Sequence, residues 1–401
     1  MAKQNNQSKK GVPAAPAVVV LAAGKGTRMN SDIPKVLRPV MGRPIITHVL
    51  NAARYLAPGR LVVVTGYGAD EVEAEIAPFG PFCVRQAVAG GTGHAVQTAM
   101  AGLEGFEGQV IILPGDVPLI SPQTLLDFHD AHLALGTPLS VLTVRVDDPA
   151  SYGRVVRDKK GLMERIVETR DATDEELLID EINSSVYAVD CEILRENIFN
   201  IKPNNDQKEY YLTDIVAEVR AKGLPVAAIE GPDPLEVQGI NDCRELAMAQ
   251  TILRRRINDS WLLAGVAMED PATTYVEASV RLSRDVVLGP GVVLAGNTKV
   301  GQGVTIGPYC CLRNVEIEPY LLLVSHISLS DVRLTSDGQA IPLGEGQGDD
   351  AVPAAIPKKA PKKKAKAAAK PADKAEAKPA GKPEAKPAAK PAAKGKGKAA
   401  D

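Results

Sequence analysis

Arg28 and Lys35 set two cations in and just after a glycine-bearing string, Ala22-Ala23-Gly24-Lys25-Gly26-Thr27-Arg28-Met29, followed by Pro34-Lys35-Val36-Leu37. Gly24 and Gly26 remove side chains from a loop whose amides can then close around phosphate or a nucleobase. The two cations suit a polyphosphate ligand. Met29 stands where a dinucleotide fingerprint needs its last glycine, and the glycine-lysine ending of a P-loop is missing as well. Further along, Asp116 in Pro114-Gly115-Asp116-Val117-Pro118-Leu119 follows an apolar run, Val110 to Leu113. It reads as a carboxylate at a ligand-binding edge or as a strand-end turn former. Gln86 offers a donor and an acceptor that match the imide edge of a pyrimidine. Gly91 and Thr92, in Gly91-Thr92-Gly93-His94-Ala95, open a helix whose amide end can meet ligand oxygens.

These residues need a sheet to bring them together. Val18 to Leu21 reads as the strand that delivers the glycine loop. Leu61 to Thr65, Val110 to Leu113 and Leu139 to Val144 read as further buried strands. Ile45 to Tyr55, His94 to Leu103 and Pro122 to Leu135 read as the helices between them. Alternation of this kind argues for an α/β domain with a mixed sheet, covered on both faces, over residues 17–245. Ligands of such sheets sit at the carboxyl ends of the strands. Arg244 to Leu263 looks like a helix leading out, within a linker placed at 246–266. Then Leu282, Leu288, Leu294, Val300, Ile306 and Leu312 recur every six residues, the pattern of a parallel β-helix. That domain is placed at 267–330, although the repeat fades after Glu316, which leaves an expectation of about two coils.

The chain has 401 residues, 45% of them hydrophobic, enough for two buried cores. No apolar run approaches the roughly 20 residues needed to span a bilayer. Residues 1–16 read as a disordered, polar N-terminus without a signal-peptide core, so a cytoplasmic location is expected. Five cysteines without a Cys-x-x-Cys pair fit reduced thiols. Net charge is −2, but residues 357–401 carry +11, leaving −13 on the rest. Residues 331–356 read as a linker. Prolines at 371, 379, 383, 387 and 391 forbid a helix in the Lys/Ala/Pro-rich tail 357–401, which reads as a disordered polycation. Two roles stay open for it: non-specific contact with polyanions, or solubilisation.

The glycine loop with its Pro-Lys, the run Gln86-Ala87 to Gly91-Thr92-Gly93-His94-Ala95, and Glu209-Tyr210-Tyr211-Leu212-Thr213-Asp214 together resemble the sugar-nucleotide pyrophosphorylases. More narrowly, they resemble GlmU-type enzymes, the UDP-N-acetylglucosamine pyrophosphorylases. The resemblance implies a Rossmann-like nucleotidyltransferase domain of the GT-A-like kind, followed by a left-handed β-helix. It implies uridylyl transfer from UTP to N-acetylglucosamine 1-phosphate, in the service of cell-envelope precursors. Such transfer needs charge neutralisation and in-line positioning more than a protein nucleophile. In the resembled family a Mg²⁺ ion is held at the position of Asp116 together with a late asparagine, here Asn241. Taken alone, Asn241 reads equally as a helix N-cap. Catalytic roles are implied for Arg28 at the β/γ-phosphates, for Lys35 as neutraliser of phosphate charge, and for Asp116. Substrate contacts are implied for Leu21, Ala22, Ala23, Gly24, Lys35, Gln86, Gly91, Thr92 and Asn241. Gly153, Glu168 and Asn183 stand where the family reads its sugar. His94 reads as a helix-start residue that packs or hydrogen-bonds rather than as a base.

The chain departs from that pattern in three places. Pro114 precedes Gly115-Asp116 where some relatives carry an aromatic or small polar residue. Ser184-Ser185 follow Asn183 where Thr-Gly is expected, so Ser185 narrows the pocket if the glycine served close approach. The long run of coils that carries acetyl transfer in full-length relatives has no counterpart, so no acetyltransferase activity is expected. A homo-oligomer, a trimer through the β-helix, is implied as a partner state. A transferase of other sugar or base specificity and a non-catalytic sugar-nucleotide or polyanion binder are the alternatives.

Overall fold

The computed structural model describes residues 15–343, together with the backbone of Lys358–Lys359. The N-terminus before residue 15, the linker beyond 343 and, apart from that backbone, the tail 357–401 lie outside the described residues. The expectations about them stand as stated.

Strand Ala17–Ala22 lies at the centre of a nine-stranded sheet. It pairs in parallel with Arg60–Thr65 on one side and Gln109–Pro114 on the other. Phe82–Arg85 extends the first side in parallel. On the second side Glu181–Asp190 runs antiparallel to Gln109–Pro114 and to Leu139–Arg145, and Val226–Glu230 closes the edge. Arg154–Arg157 and Met163–Val167 form an antiparallel pair attached to Glu181–Asp190. Successive side chains of a strand point to opposite faces, so each buried strand feeds two cores. Val19, Val62, Val64 and Ile112 pack with Val96, Ala99, Ile215 and Val219 on one face. Val18, Val20, Val63 and Ile111 pack with Ile46, Leu50, Leu125 and Phe128 on the other. The helices follow the apolar periodicity closely; Ile45–Ala53 and Thr92–Ala99 each end in a short 3₁₀ turn rather than running on as α-helix.

Helix Cys243–Leu263 starts three residues before the linker expected at 246–266, and it is more than a connector. Ala249, Leu246 and Leu253 pack with Met29, Met41 and Leu119 of the first domain. Ile257 and Trp261 reach the core of the repeat region. Buried Asn258 fastens the helix to the first coil, donating to the carbonyls of Pro271 and Thr274 at 2.9 Å each.

The expectation of about two coils ending after Glu316 is corrected. Parallel strands stack in three sheets from Ala267 to Leu334, enough for four coils, so strand Val332–Leu334 falls past the expected boundary at 330. The reason is a phase slip. Arg281 pairs with Lys299 and Val293 with Cys311, a spacing of 18 residues, whereas Lys299 pairs with Glu316 and Cys311 with Ser328, a spacing of 17. One residue lost between Leu312 and Glu316 throws a six-residue count out of register while Val315, Ile317, Leu321 and Leu323 still point inward. No helix among the described residues is long and apolar enough to cross a membrane.

Leu312 is fully buried among those stacked aliphatics. Leu312→Ala is expected to cost about 2–5 kcal/mol in urea unfolding. A loss below about 1 kcal/mol contradicts a close-packed third coil.

Candidate active site

The loop after Ala17–Ala22, the end of Gln109–Pro114 and the segment before helix Cys243–Leu263 meet at one edge of the sheet. Gly26 holds a left-handed φ of 63° there, and a Cβ on it would lie 2.6 Å from Lys35 Cβ. The loop therefore closes on Lys35 only because that position has no side chain. Lys35 follows Pro34 into a short 3₁₀ turn, and its side chain is 11% exposed. Its ammonium lies 2.5 Å from Asp116 Oδ2 and donates to Asn241 Oδ1 at 3.3 Å. The main chain locks this triad: Gly115 N donates to Leu21 O at 2.8 Å, and Ile240 N donates to Asp116 O at 2.9 Å. The helix cap proves to be Asp242, which accepts from Arg244 N and Glu245 N. Asn241 is thereby released from the capping role and turns its amide oxygen to Lys35.

A cavity of about 490 Å³ opens beside the triad. Leu21, Ala22, Ala23 and Gly24 form one wall, with Lys35 and Asp116 at its end. Gln86, Gly91 and Thr92 form a second wall. Gly91 has φ 92°, and a Cβ there would sit 2.6 Å from Tyr210 O. This close approach lets residues 209–213 fold onto the start of helix Thr92–Ala99: Gly93 N donates to Tyr210 O at 2.7 Å and Leu212 N to Thr92 Oγ1 at 3.0 Å. His94 has the hydrogen-bonding role, its Nδ1 3.0 Å from Gln86 Nε2. That contact orients the Gln86 amide so that its oxygen is the group left for a ligand.

Glu168 lines the cavity as well. Glu168 accepts from Thr213 Oγ1 at 3.3 Å, and burial, then the neighbouring Asp171 and Asp214, push its carboxyl up from the usual range. Burial likewise raises Asp214 to about 6 and Tyr211 to about 12, and it raises Tyr187 too. The hydroxyls of Tyr187 and Tyr211 are buried without a hydrogen-bond partner among the described residues. Both rings line the cavity, while the hydroxyls themselves are buried behind its surface.

Eleven of the expected residues line the cavity: Leu21, Ala22, Ala23, Gly24, Lys35, Gln86, Gly91, Thr92, Asp116, Glu168 and Asn183. Asn241 joins them through Lys35. Two do not reach the wall. Gly153 stands behind it, its carbonyl taken by Asn183 N at 2.9 Å, and a Cβ there would press within 3.5 Å of the Glu168 carboxylate. Arg28 lies exposed on the turn Thr27–Met29, without a side-chain hydrogen bond or ion pair among the described residues. Sequence reasoning missed Tyr187, Gln207 and Glu209 as lining residues. It took Glu209–Asp214 only as a matching string, because nothing local announces that this string folds back across the cavity.

Comparison with known proteins gives the family. Residues 18–171 match the MobA-like NTP transferase domain, and residues 279–314 match the bacterial transferase hexapeptide (six repeats). The bifunctional protein GlmU of Trichlorobacter lovleyi is 40% identical over 328 residues, covering 82% of this chain and 71% of that protein. The chain belongs to the GlmU family. The GlmU of Corynebacterium glutamicum is 44% identical over 307 residues, and that of Kineococcus radiotolerans is 45% identical over 309. The chain spans 63% of the length of each of these two relatives. A solved structure of apo UDP-glucose pyrophosphorylase overlays with a TM-score of 0.50 at 19% identity, covering 60% of this chain and 99% of that one, which supports the fold.

The Asp214 shift predicts a pH signature. A carboxyl raised to about 6 contributes stability below its ordinary pKa, and that contribution is lost as pH rises through 6. Asp214→Asn is therefore expected to raise the melting temperature relative to wild type by more at pH 8 than at pH 4. An equal change at both values contradicts the assignment.

Proposed function

We propose that the chain transfers a uridylyl group from UTP to N-acetylglucosamine 1-phosphate, giving UDP-N-acetylglucosamine and pyrophosphate. One observation carries this reading: a basic side chain bridges a carboxylate and an amide oxygen at one end of a cavity whose other end is lined by Glu168, Asn183 and Ser185. The first end suits phosphate and the second suits a sugar. In the reaction a phosphate oxygen of the sugar phosphate attacks the α-phosphorus of UTP. The bond from that phosphorus to the bridging oxygen breaks, and pyrophosphate leaves with the electron pair.

The GlmU relatives support this assignment, as does the order of the walls along the cavity. Gln86 Oε1 accepts from the uracil imide, and the amides at Gly91 and Thr92 add donors at the helix start. Lys35 meets the phosphate charge from the triad, and Arg28, from its exposed turn, reaches the β- and γ-phosphates. Glu168 and Asn183 hold the sugar, with Gly153 supporting both from behind. Asp116 and Asn241 fit a hard divalent cation, Mg²⁺ in this reading. Their oxygens already converge on one cationic group, the Lys35 ammonium, within 2.5 and 3.3 Å. Asp116 and Asn241 would supply such an ion with a carboxylate and an amide oxygen, the hard ligands it prefers. When bound, such an ion neutralises charge developing on the phosphates. Self-association as a trimer through the β-helix belongs to the same reading, supported by the three flat parallel sheets that its coils build.

Purified protein with UTP, N-acetylglucosamine 1-phosphate and Mg²⁺ is expected to release pyrophosphate, and a chelator to stop it. Absence of pyrophosphate from this pair, with release from another nucleotide or sugar phosphate, would falsify the specificity. Asp116→Ala is expected to lower turnover at least about 100-fold while the far-UV circular dichroism is kept.

A further inference from the structure

Between Asn183 and Tyr187 the strand Glu181–Asp190 slips register against Leu139–Arg145. At this bulge Ser185 adopts a left-handed φ of 63°, a conformation that a residue with a Cβ holds only under constraint. The constraint is visible. Ser184 Oγ donates to Leu142 O at 2.6 Å and accepts from Val186 N at 3.2 Å, so its hydroxyl satisfies ladder groups that the bulge leaves open. Ser185 N donates to Asn183 Oδ1 at 3.0 Å. That contact fixes the Asn183 amide, whose side chain also faces Tyr187. The Ser185 side chain lines the cavity beside Asn183 and Tyr187, and Ser185 Oγ has no hydrogen bond among the described residues.

We infer that Ser185 is a specificity-determining residue of the acceptor end. Its main-chain amide orients Asn183, and its free hydroxyl bonds a polar group of a hexosamine 1-phosphate. This rests on the transferase reading above. A glycine would take the same backbone path without strain, so the left-handed serine brings no backbone advantage. What it adds is one methylene and one hydroxyl on the wall, beside the Asn183 amide. A sugar bearing groups complementary to both satisfies them together, whereas the nucleotide and its phosphates lie toward the Lys35 end and do not touch Ser185.

Calorimetric titration of the full chain with UDP and with UDP-N-acetylglucosamine separates the two ends. Ser185→Ala keeps the Cβ and removes only the hydroxyl. It is expected to weaken UDP-N-acetylglucosamine by about fivefold while UDP stays within about twofold. Ser185→Gly is expected to weaken the sugar nucleotide similarly with a melting temperature no lower than that of Ser185→Ala, which shows that the bulge survives. If Ser185→Ala leaves both ligands unchanged, or weakens both equally, the inference is overturned even where wild type releases pyrophosphate. If wild type binds UDP-N-acetylglucosamine no better than UDP and releases no pyrophosphate, the transferase reading falls, and this inference with it.

Discussion

The ammonium of Lys35 draws three distant stretches of chain to one point. Its contacts with Asp116 and Asn241 span 81 and 206 residues of sequence. The geometry on which they depend lies in the main chain: the left-handed Gly26 that makes room for the Lys35 stem, the Gly115 amide on Leu21, and the Ile240 amide on Asp116. The pair is partly buried, with side chains 11% and 24% exposed. Exposed pairs contribute about 0–1 kcal/mol, and losing one partner of a fully buried pair costs about 3–5 kcal/mol. A site between these limits can lose Asp116 without unfolding two cores of this size. Charge is concentrated there for ligand chemistry more than for stability.

The two ends of the cavity use opposite strategies. Near Lys35 a cation faces oxygen donors and the amides of a glycine loop, an environment that gains when an anion arrives. Near Glu168 the protein has removed water from a carboxylate and two tyrosine hydroxyls, which raises their pKa values and leaves the hydroxyls unsatisfied. Such groups are costly to keep buried. Helix Cys243–Leu263 serves both domains: its N-terminal side carries Asn241 to the triad, and its later turns anchor the first coil through Asn258.

Much of this was legible in the residues. Unbroken apolar runs such as Val18 to Leu21 announced the central strands, which are buried on both faces, and the helix expected at Pro122 to Leu135 has those bounds in the structure. The Lys35 end of the cavity was legible because glycines and cations cluster within fifteen residues. The Glu168 end was less so. Tyr187 reads as an ordinary core residue of a buried strand, and only the fold brings it to the cavity wall. The string Glu209–Asp214 has no periodicity of its own, and its contact with Gly91 and Thr92 is long-range. The end of the third coil and the fourth were hidden by a one-residue slip, since counting by six assumes constant turn length while burial tolerates a shorter turn. Asn241 was ambiguous because Asp242, the next residue, is the better cap.

Crystals of the chain with a non-hydrolysable UTP analogue and Mn²⁺, measured at the manganese absorption edge, test the central claim most directly. The account predicts an anomalous peak within coordination distance of Asp116 and Asn241, with the Lys35 ammonium moved from Asp116 onto a phosphate oxygen. A peak elsewhere, or a Lys35 still paired with Asp116 while the nucleotide is bound, contradicts it.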